Sequence, residues 1–300
     1  MRVGTKVAAS AGGLAVAFGA AWTAGARTDR VVPAPAPSHA AAVATAELPG
    51  GLAVSQQGYT LRPATSVLRA GGAQPFRFTV TGPDGQVVRD YTTGHEKELH
   101  LIVVGRDLSD FQHLHPGRDA AGTWTLPLTL PAAGTYRMYA DFTPAALAGD
   151  NVVLGADLFA AGPFVPRPLP AASTTSTVDG YQVALTGAAV AGQDSQLTFT
   201  VTKAGRPVTD LQPYLGAFGH LVSLRQGDLA YLHTHPAQEA RPGESGGPQV
   251  QFGADFPTAG SYRVFLDFQH AGQVRTAAFT VTVAAGGATA PTAAPDGHGH

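Results

Sequence analysis

Apolar side chains recur at every second residue in two stretches of the chain. Phe76, Phe78 and Val80 alternate with polar neighbours, and so do Leu197, Phe199 and Val201. Period-two alternation predicts strands with one buried face. Each stretch follows a Gly-Tyr pair that opens a strand, Gly58-Tyr59 in one and Gly180-Tyr181 in the other. Each ends in turn residues, Gly82-Pro83-Asp84-Gly85 and Ala204-Gly205-Arg206-Pro207. No amphipathic helical pattern of useful length accompanies them.

These stretches belong to an internal repeat, 51–161 and 178–283. His100-Leu101 precedes Phe111-x-His113-x-His115-Pro116, and His220-Leu221 precedes Tyr231-x-His233-x-His235-Pro236. The spacing H-x12-H-x-H-P is the same in both copies. Five of the 17 aligned positions are identical: three His, one Leu and one Pro. Downstream, Pro131 to Arg137 (PAAGTYR) aligns with Pro257 to Arg263 (PTAGSYR), and each continues to Asp-Phe, Asp141-Phe142 and Asp267-Phe268. A tyrosine opening a strand after such a turn is similar to the tyrosine corner of immunoglobulin-like sandwiches, a structural role for Tyr136 and Tyr262. Roughly 105–110 residues with six or seven short strands is the size of one β-sandwich. The expected fold is all-β: two tandem immunoglobulin-like β-sandwiches behind an N-terminal signal or anchor helix.

Composition narrows the chemistry. Of 300 residues, 44% are hydrophobic and 13% charged, and Gly (37) and Pro (23) are abundant. Both residues interrupt helices, so a helical bundle is disfavoured. The formal net charge is −2, and the only charges in residues 1–26 are Arg2 and Lys6. A chain without that segment carries −4, with no basic surplus to neutralise phosphates, so nucleic acid is not an expected partner. The absence of cysteine excludes disulfides, thiolate zinc sites, iron–sulfur clusters, thiol catalysis and blue-copper sites. Met1 and Met138 are the only methionines, which excludes a methionine-rich Cu(I) site. Eleven histidines and the carboxylates remain.

The ends and the middle read as non-globular. Residues 1–26 have a basic start, an uncharged run from Val7 to Ala26 and a small-residue end, Ala24-Gly25-Ala26. That is a signal peptide or, uncleaved, a single signal anchor, and either places the rest outside the cytoplasm. No cysteine follows to carry a lipid. Residues 27–50 form a Pro/Ala-rich tether, 162–177 a linker of the same kind, and 284–300 a disordered tail ending in His298 and His300.

The histidine spacing predicts a hairpin. One strand runs from His100 to Val104, a turn lies near Asp107, and the return strand runs from Phe111 to His115. Residue 114, give or take one, then lies across from His100. Alternation puts His113 and His115 on one face. Opposed residues lie about 4.5–5.5 Å apart at Cβ, so three imidazoles can converge on one ion. The second copy offers His220, His233 and His235 in the same way, giving one site per sandwich. Pro116 and Pro236 are expected to end the return strands. Imidazole without thiolate suits Cu(II), Zn(II) or Ni(II), and copper wins an unbiased competition. Asp141 and Asp267 are candidates for a fourth ligand or for a carboxylate that holds an imidazole N–H. The competing reading is structural: Ile102 and Val104 share the face of His100, and Phe111 that of His113, so these histidines can instead edge an apolar core. His95 and His100 are five apart and do not form an HExxH helix; His95 and Glu98 can tune the first site, though a solvated turn is the expected place for them. His270 is a further candidate ligand in the second copy. The insertion after Pro236 reads as a mobile loop.

The motif F-x-H-x-H-P, with its upstream H-L strand and downstream P-x-A-G-x-Y-R-x-x-x-D-F, resembles exported β-sandwich domains known as predicted heavy-metal-binding or YtkA-like. These are distant relatives of CopC-type copper-resistance proteins and of cupredoxin-like folds. The resemblance covers 51–161 and 178–283 and implies two tandem immunoglobulin-like/cupredoxin-like Greek-key β-sandwiches and extracytoplasmic metal handling, with copper foremost. The amino-terminal histidine ligand of copper-resistance proteins has no counterpart here, since cleavage would leave a terminus near Arg27.

The expected function is binding, delivery or resistance for Cu(II), with Zn(II) as the other ion. The expected partners are the ion itself and a metal-delivery or membrane protein. Affinity should fall below about pH 6.5, where imidazole protonates. The alternative is a tandem immunoglobulin-like surface scaffold or adhesion module with structural histidines. A zinc or copper metalloenzyme ranks below both, because no general base or substrate pocket can be named and two equivalent sites favour binding over catalysis.

Overall fold

The computed structural model describes residues 49–232 and 234–286. The expected signal or anchor helix, most of the tether, His233 and the tail from residue 287 lie outside the described residues. The first set of strands is β1 (Ser55–Gln56), β2 (Tyr59–Pro63), β3 (Val67–Arg69), β4 (Gln74–Thr81), β5 (Tyr91–Thr92), β6 (Leu99–Gly105), β7 (Gln112–Leu114), β8 (Gly117–Arg118), β9 (Trp124–Leu128), β10 (Gly134–Pro144) and β11 (Val152–Ala161). The second set is β12 (Thr175–Val178), β13 (Tyr181–Thr186), β14 (Asp194–Lys203), β15 (Arg206–Pro207), β16 (His220–Arg225), β17 (Tyr231–Leu232), β18 (Thr234–Pro236), β19 (Gln249–Asp255), β20 (Gly260–His270) and β21 (Gln273–Val283). No α-helix occurs among the described residues.

The first set forms two sheets, β1-β2-β4-β9-β8 and β3-β11-β10-β6-β7. The chain crosses between them at β3, which runs parallel to β11. This order is that of an immunoglobulin-like Greek-key sandwich. The second set repeats it as β12-β13-β14-β19-β18 and β17-β16-β20-β21. The tyrosine corners form as expected: the Tyr136 hydroxyl donates to Ala132 O and the Tyr262 hydroxyl to Thr258 O, both at 2.9 Å.

Alternation explains the outer sheets. Gln74–Thr81 buries Phe76, Phe78 and Val80 and exposes Pro75 and Arg77. β6 differs, since all seven of its residues are buried. Leu99, Leu101 and Val103 face the core of the first sandwich, whereas Ile102 and Val104 join a separate cluster with Tyr139, Val222, Leu224, Tyr231 and Phe265. The two sandwiches therefore pack sheet on sheet, and strands covered on both faces read as continuous apolar runs. Phe111 stacks on Phe265 with centroids 4.0 Å apart and planes 9° apart. Tyr139 and Tyr231 lie 5.5 Å apart, and the Tyr139 hydroxyl donates to Leu229 O at 2.7 Å. Phe111 and Tyr231 hold matched places in the repeat, as do Tyr139 and Phe265. The contact is reciprocal, as in an isologous dimer interface.

Three segments differ from expectation. The end of the tether is inserted between the sandwiches: Tyr231 N donates to Gly50 O at 2.9 Å, and Gly51 N to Val153 O at 2.8 Å. Gly51 has φ +73°, and a Cβ there would meet the Tyr139 ring at 2.3 Å, so only glycine fits. The linker is pinned. Arg167 N donates to Asp107 Oδ2 at 2.8 Å, its guanidinium pairs with Asp110, and Leu169 packs into the inter-sandwich cluster, while β12 already begins at Thr175. The expected return strand of the second copy is split: Tyr231–Leu232 pairs with β16, whereas Thr234–Pro236 pairs with β19. Pro236 ends β18 as expected, at a sheet edge where no N–H is needed.

Candidate metal centre

The inter-sandwich layer carries polar groups at one end. In β6 and β10, His100 and Asp141 are cross-strand partners and share the faces of Ile102 and Tyr139. In β16 and β20, His220 and Asp267 are partners in the same way. The hairpin register pairs Leu101 with Leu114 and Ile102 with His113, which sets position 115 across from His100, one residue from the centre of the expected range.

The ring nitrogens of the first copy converge. His100 Nδ1 lies 3.1 Å from His113 Nε2 and 3.2 Å from His115 Nε2. Tetrahedral bonds of about 2.0–2.1 Å to a zinc-like ion put ligand nitrogens about 3.3–3.4 Å apart. The opposite nitrogens are tied. His100 Nε2 meets Gly94 O at 3.2 Å, and His113 Nδ1 meets Asp267 Oδ2 at 2.8 Å. A carbonyl accepts only, so the His100 proton sits on Nε2 and its Nδ1 presents a lone pair. A carboxylate likewise draws the His113 proton to Nδ1, which leaves Nε2 as a lone pair aimed at the same point. Neutral rings so arranged crowd lone pairs together, and a bound cation relieves this. Carboxylate- and carbonyl-held imidazoles are the usual surroundings of a metal ligand.

His220 completes the group from the second sandwich. Its ring stacks on His100 at 5.3 Å and lies 4.7 Å from that of His113. His100, His113 and His220 each offer a ligand atom within 4.8 Å of the others. His220 Nδ1 is buried and has no hydrogen-bond partner among the described residues. An orphaned buried nitrogen is costly, and an ion would satisfy it.

Burial sets the electrostatics. Desolvation pushes His100 down to about 4, with His113 and His95 adding to the effect and Asp141 opposing it. His115 is pushed down to about 3 by burial, then by His113, His100 and Lys97. His220 lies well below the ordinary imidazole value for the same first reason. Burial holds His100, His115 and His220 in the neutral, ligating form.

Among the described residues, His220 of the second copy lies with His100 and His113 of the first, a grouping across the two sandwiches that the reading of one site per copy did not include. His233 lies outside the described residues. His235 is exposed on β18 and lines a cleft with His95, His100 and His220. Asp267 holds an imidazole of the other sandwich, with the two side chains 3% and 2% exposed, and its second oxygen accepts from Thr276 Oγ1 at 2.5 Å. Asp141 accepts from the Tyr231 hydroxyl and from Asn151 Nδ2, both at 2.9 Å. His270 is not in the group. It pairs with the Tyr181 hydroxyl at 2.6 Å and with Asp210 at 3.1 Å.

Two more residues border the group. His95 sits on a turn as expected, but is itself half-buried: its ring lies 5.5 Å from that of His220 and 6.1 Å from that of His100. Tyr214 borders the group edge-on, 6.4 Å from His113 and 6.3 Å from His115. Neither lies in the repeated motif, so spacing alone gives no sign of them.

Known proteins set this geometry in context. No curated protein matches the chain. Among solved structures it is similar to FdeC, an adhesin of Escherichia coli, with 16% identity over 78% of this chain and 65% of that one and a TM-score of 0.24. It is also similar to InvD of Yersinia pseudotuberculosis, with 14% identity over 77% and 59% and a TM-score of 0.24. Invasin, a bacterial integrin-binding protein, shows 13% identity over 74% and 39% and a TM-score of 0.21. The chain spans less than two thirds of the length of each. Residues 53–149 and 176–285 match the family described as "Domain of unknown function (DUF8832)", and the chain belongs to that family.

Proposed function

We propose that the protein binds one transition-metal ion, Cu(II) or Zn(II), outside the cytoplasm, in an imidazole site shared by its two sandwiches. The observation that carries this reading is the convergence of His113 Nε2 and His115 Nε2 on His100 Nδ1 at 3.1–3.2 Å, with a ligand atom of His220 within 4.8 Å of those of His100 and His113. An all-imidazole donor set supports copper over zinc in open competition. The basic, then apolar, first 26 residues support export. Binding or delivery is favoured over catalysis, because every assigned donor is an interior imidazole and none is placed as a general base.

The test is a copper titration of the exported chain with His298 and His300 replaced by alanine, with Zn(II) as competitor. One copper per chain with nitrogen hyperfine structure in EPR is expected. Two coppers per chain would restore a separate site in each copy. No binding would leave the second reading, a tandem immunoglobulin-like surface scaffold whose buried histidines only join the sandwiches. The tandem immunoglobulin-like architecture supports that reading.

A further inference from the structure

Two hollows lead toward the histidine group. The inner one, about 210 Å³, is lined by His95, Glu98, His100, Asp141, His220 and His235. The outer one, about 620 Å³, is lined by His95, Glu96, His235, Glu239, Arg241 and Glu244. His95 and His235 are common to both, so they stand where one meets the other. Glu96, Glu239 and Glu244 are exposed, and the outer hollow carries three carboxylates against Arg241. Cations also flank the inner one: Lys97 lines it, and Arg118 is spent on Glu98 through a bidentate pair at 2.9 Å. At the inner wall the His220 Nδ1 is buried and has no hydrogen-bond partner among the described residues. From outside inward the lining changes from carboxylate, to two imidazoles, to the interior cluster.

Resting on the metal-binding reading above, we propose that this cleft is the path of the ion, and that His95 and His235 form an outer relay position for a hydrated divalent cation. The carboxylates gather the aqua ion. Waters are exchanged one at a time for the imidazoles of His95 and His235, and then for those of His100 and His220. The ion keeps its oxidation state and the rings keep their protons. His95 suits the relay because it sits on a turn, where Gly94 and Lys97 exchange backbone hydrogen bonds at 2.9 and 3.0 Å, and not on a strand of the core.

The experiment is stopped-flow loading and chelator-driven release of Cu(II) with the full exported chain. His95→Asn is the informative variant, since His95 has φ +47° and asparagine tolerates that conformation. A relay residue changes rates and not equilibrium: loading and release should slow together by about tenfold, with Kd held within about threefold. His235→Asn should do the same. Glu239→Gln should slow loading at low salt and lose its effect at high salt, as electrostatic steering does. A weakened Kd with unchanged loading would make His95 a resident ligand and overturn the proposal, and so would unchanged rates. An unaltered melting curve of the metal-free variant shows that the fold is intact. Absence of stoichiometric uptake by the parent chain would instead overturn the metal-binding reading itself.

Discussion

Acidifying the metal-free protein should destabilise it well above the pH at which ordinary carboxylates protonate. In the unfolded chain His100 takes up a proton near 6.5. In the folded protein burial holds it neutral down to about 4. Above 6.5 neither state is protonated and the group contributes nothing. Between 6.5 and 4 the unfolded state binds more protons, so stability falls as pH falls. Each pH unit costs about 1.4 kcal/mol for one fully shifted group, so His100 alone removes about 2 kcal/mol between pH 6.5 and 5, and about 3 kcal/mol by pH 4. For a protein of this size 2 kcal/mol is roughly 4–8 °C in melting temperature. The assay is thermal and urea unfolding of the metal-free chain at pH 7, 6.5, 5.5 and 5, beside His100→Gln, which retains a donor for Gly94 O. The variant should lose about 2 kcal/mol less than the parent over that window. Parallel curves for the two proteins would refute the assignment of a neutral, buried His100. The same burial should move the proton competition at His100 and His115 below the ordinary imidazole range, to about 4 and about 3, so a metal titration over pH 7 to 5 should show a shallower loss of affinity than unshifted imidazoles would give.

Other perturbations follow from the geometry. Asp267→Asn removes the charge that keeps the His113 proton on Nδ1, and should weaken metal binding by about 10–100-fold in a competition titration with little change in stoichiometry; an unchanged Kd would show that this carboxylate does not orient the ligand. His220→Ala removes the only assigned donor of the second sandwich. Metal should then bind more weakly and should no longer slow hydrogen exchange at the Tyr231 amide, which bonds to Gly50 across the interface; equal protection in both proteins would refute an ion held by both sandwiches. Phe265→Ala, at a position 4% exposed and stacked on Phe111, should cost about 3–5 kcal/mol and weaken metal affinity as well, since it loosens the surface that sets His220 against His100. Stability loss with full affinity would show that the site does not depend on this packing.

How far the sequence shows this depends on which contacts lie within one copy of the repeat. The outer strands were legible because their burial is one-sided: Phe76, Phe78 and Val80 alternate and are buried as expected. The hairpin register was legible because the turn near Asp107 fixes it to within one residue. What lay between the copies was not. Ile102, Val104 and Phe111 looked like the rim of a single core, yet they form a layer against the other sandwich. The sign was present in Leu99–Gly105 and in the Tyr139 and Phe265 positions, where apolar residues run on without alternation and so call for cover on both faces. Duplication suggested two equal sites, but a reciprocal interface brings matched residues to one axis, where His100 and His220 stack. Small departures from the repeat then decide the roles. Tyr231 gives its hydroxyl to Asp141. Its matched residue Phe111 has none to give. Asp267 takes the N–H of His113 from the other sandwich, a relation that spacing within either copy cannot express.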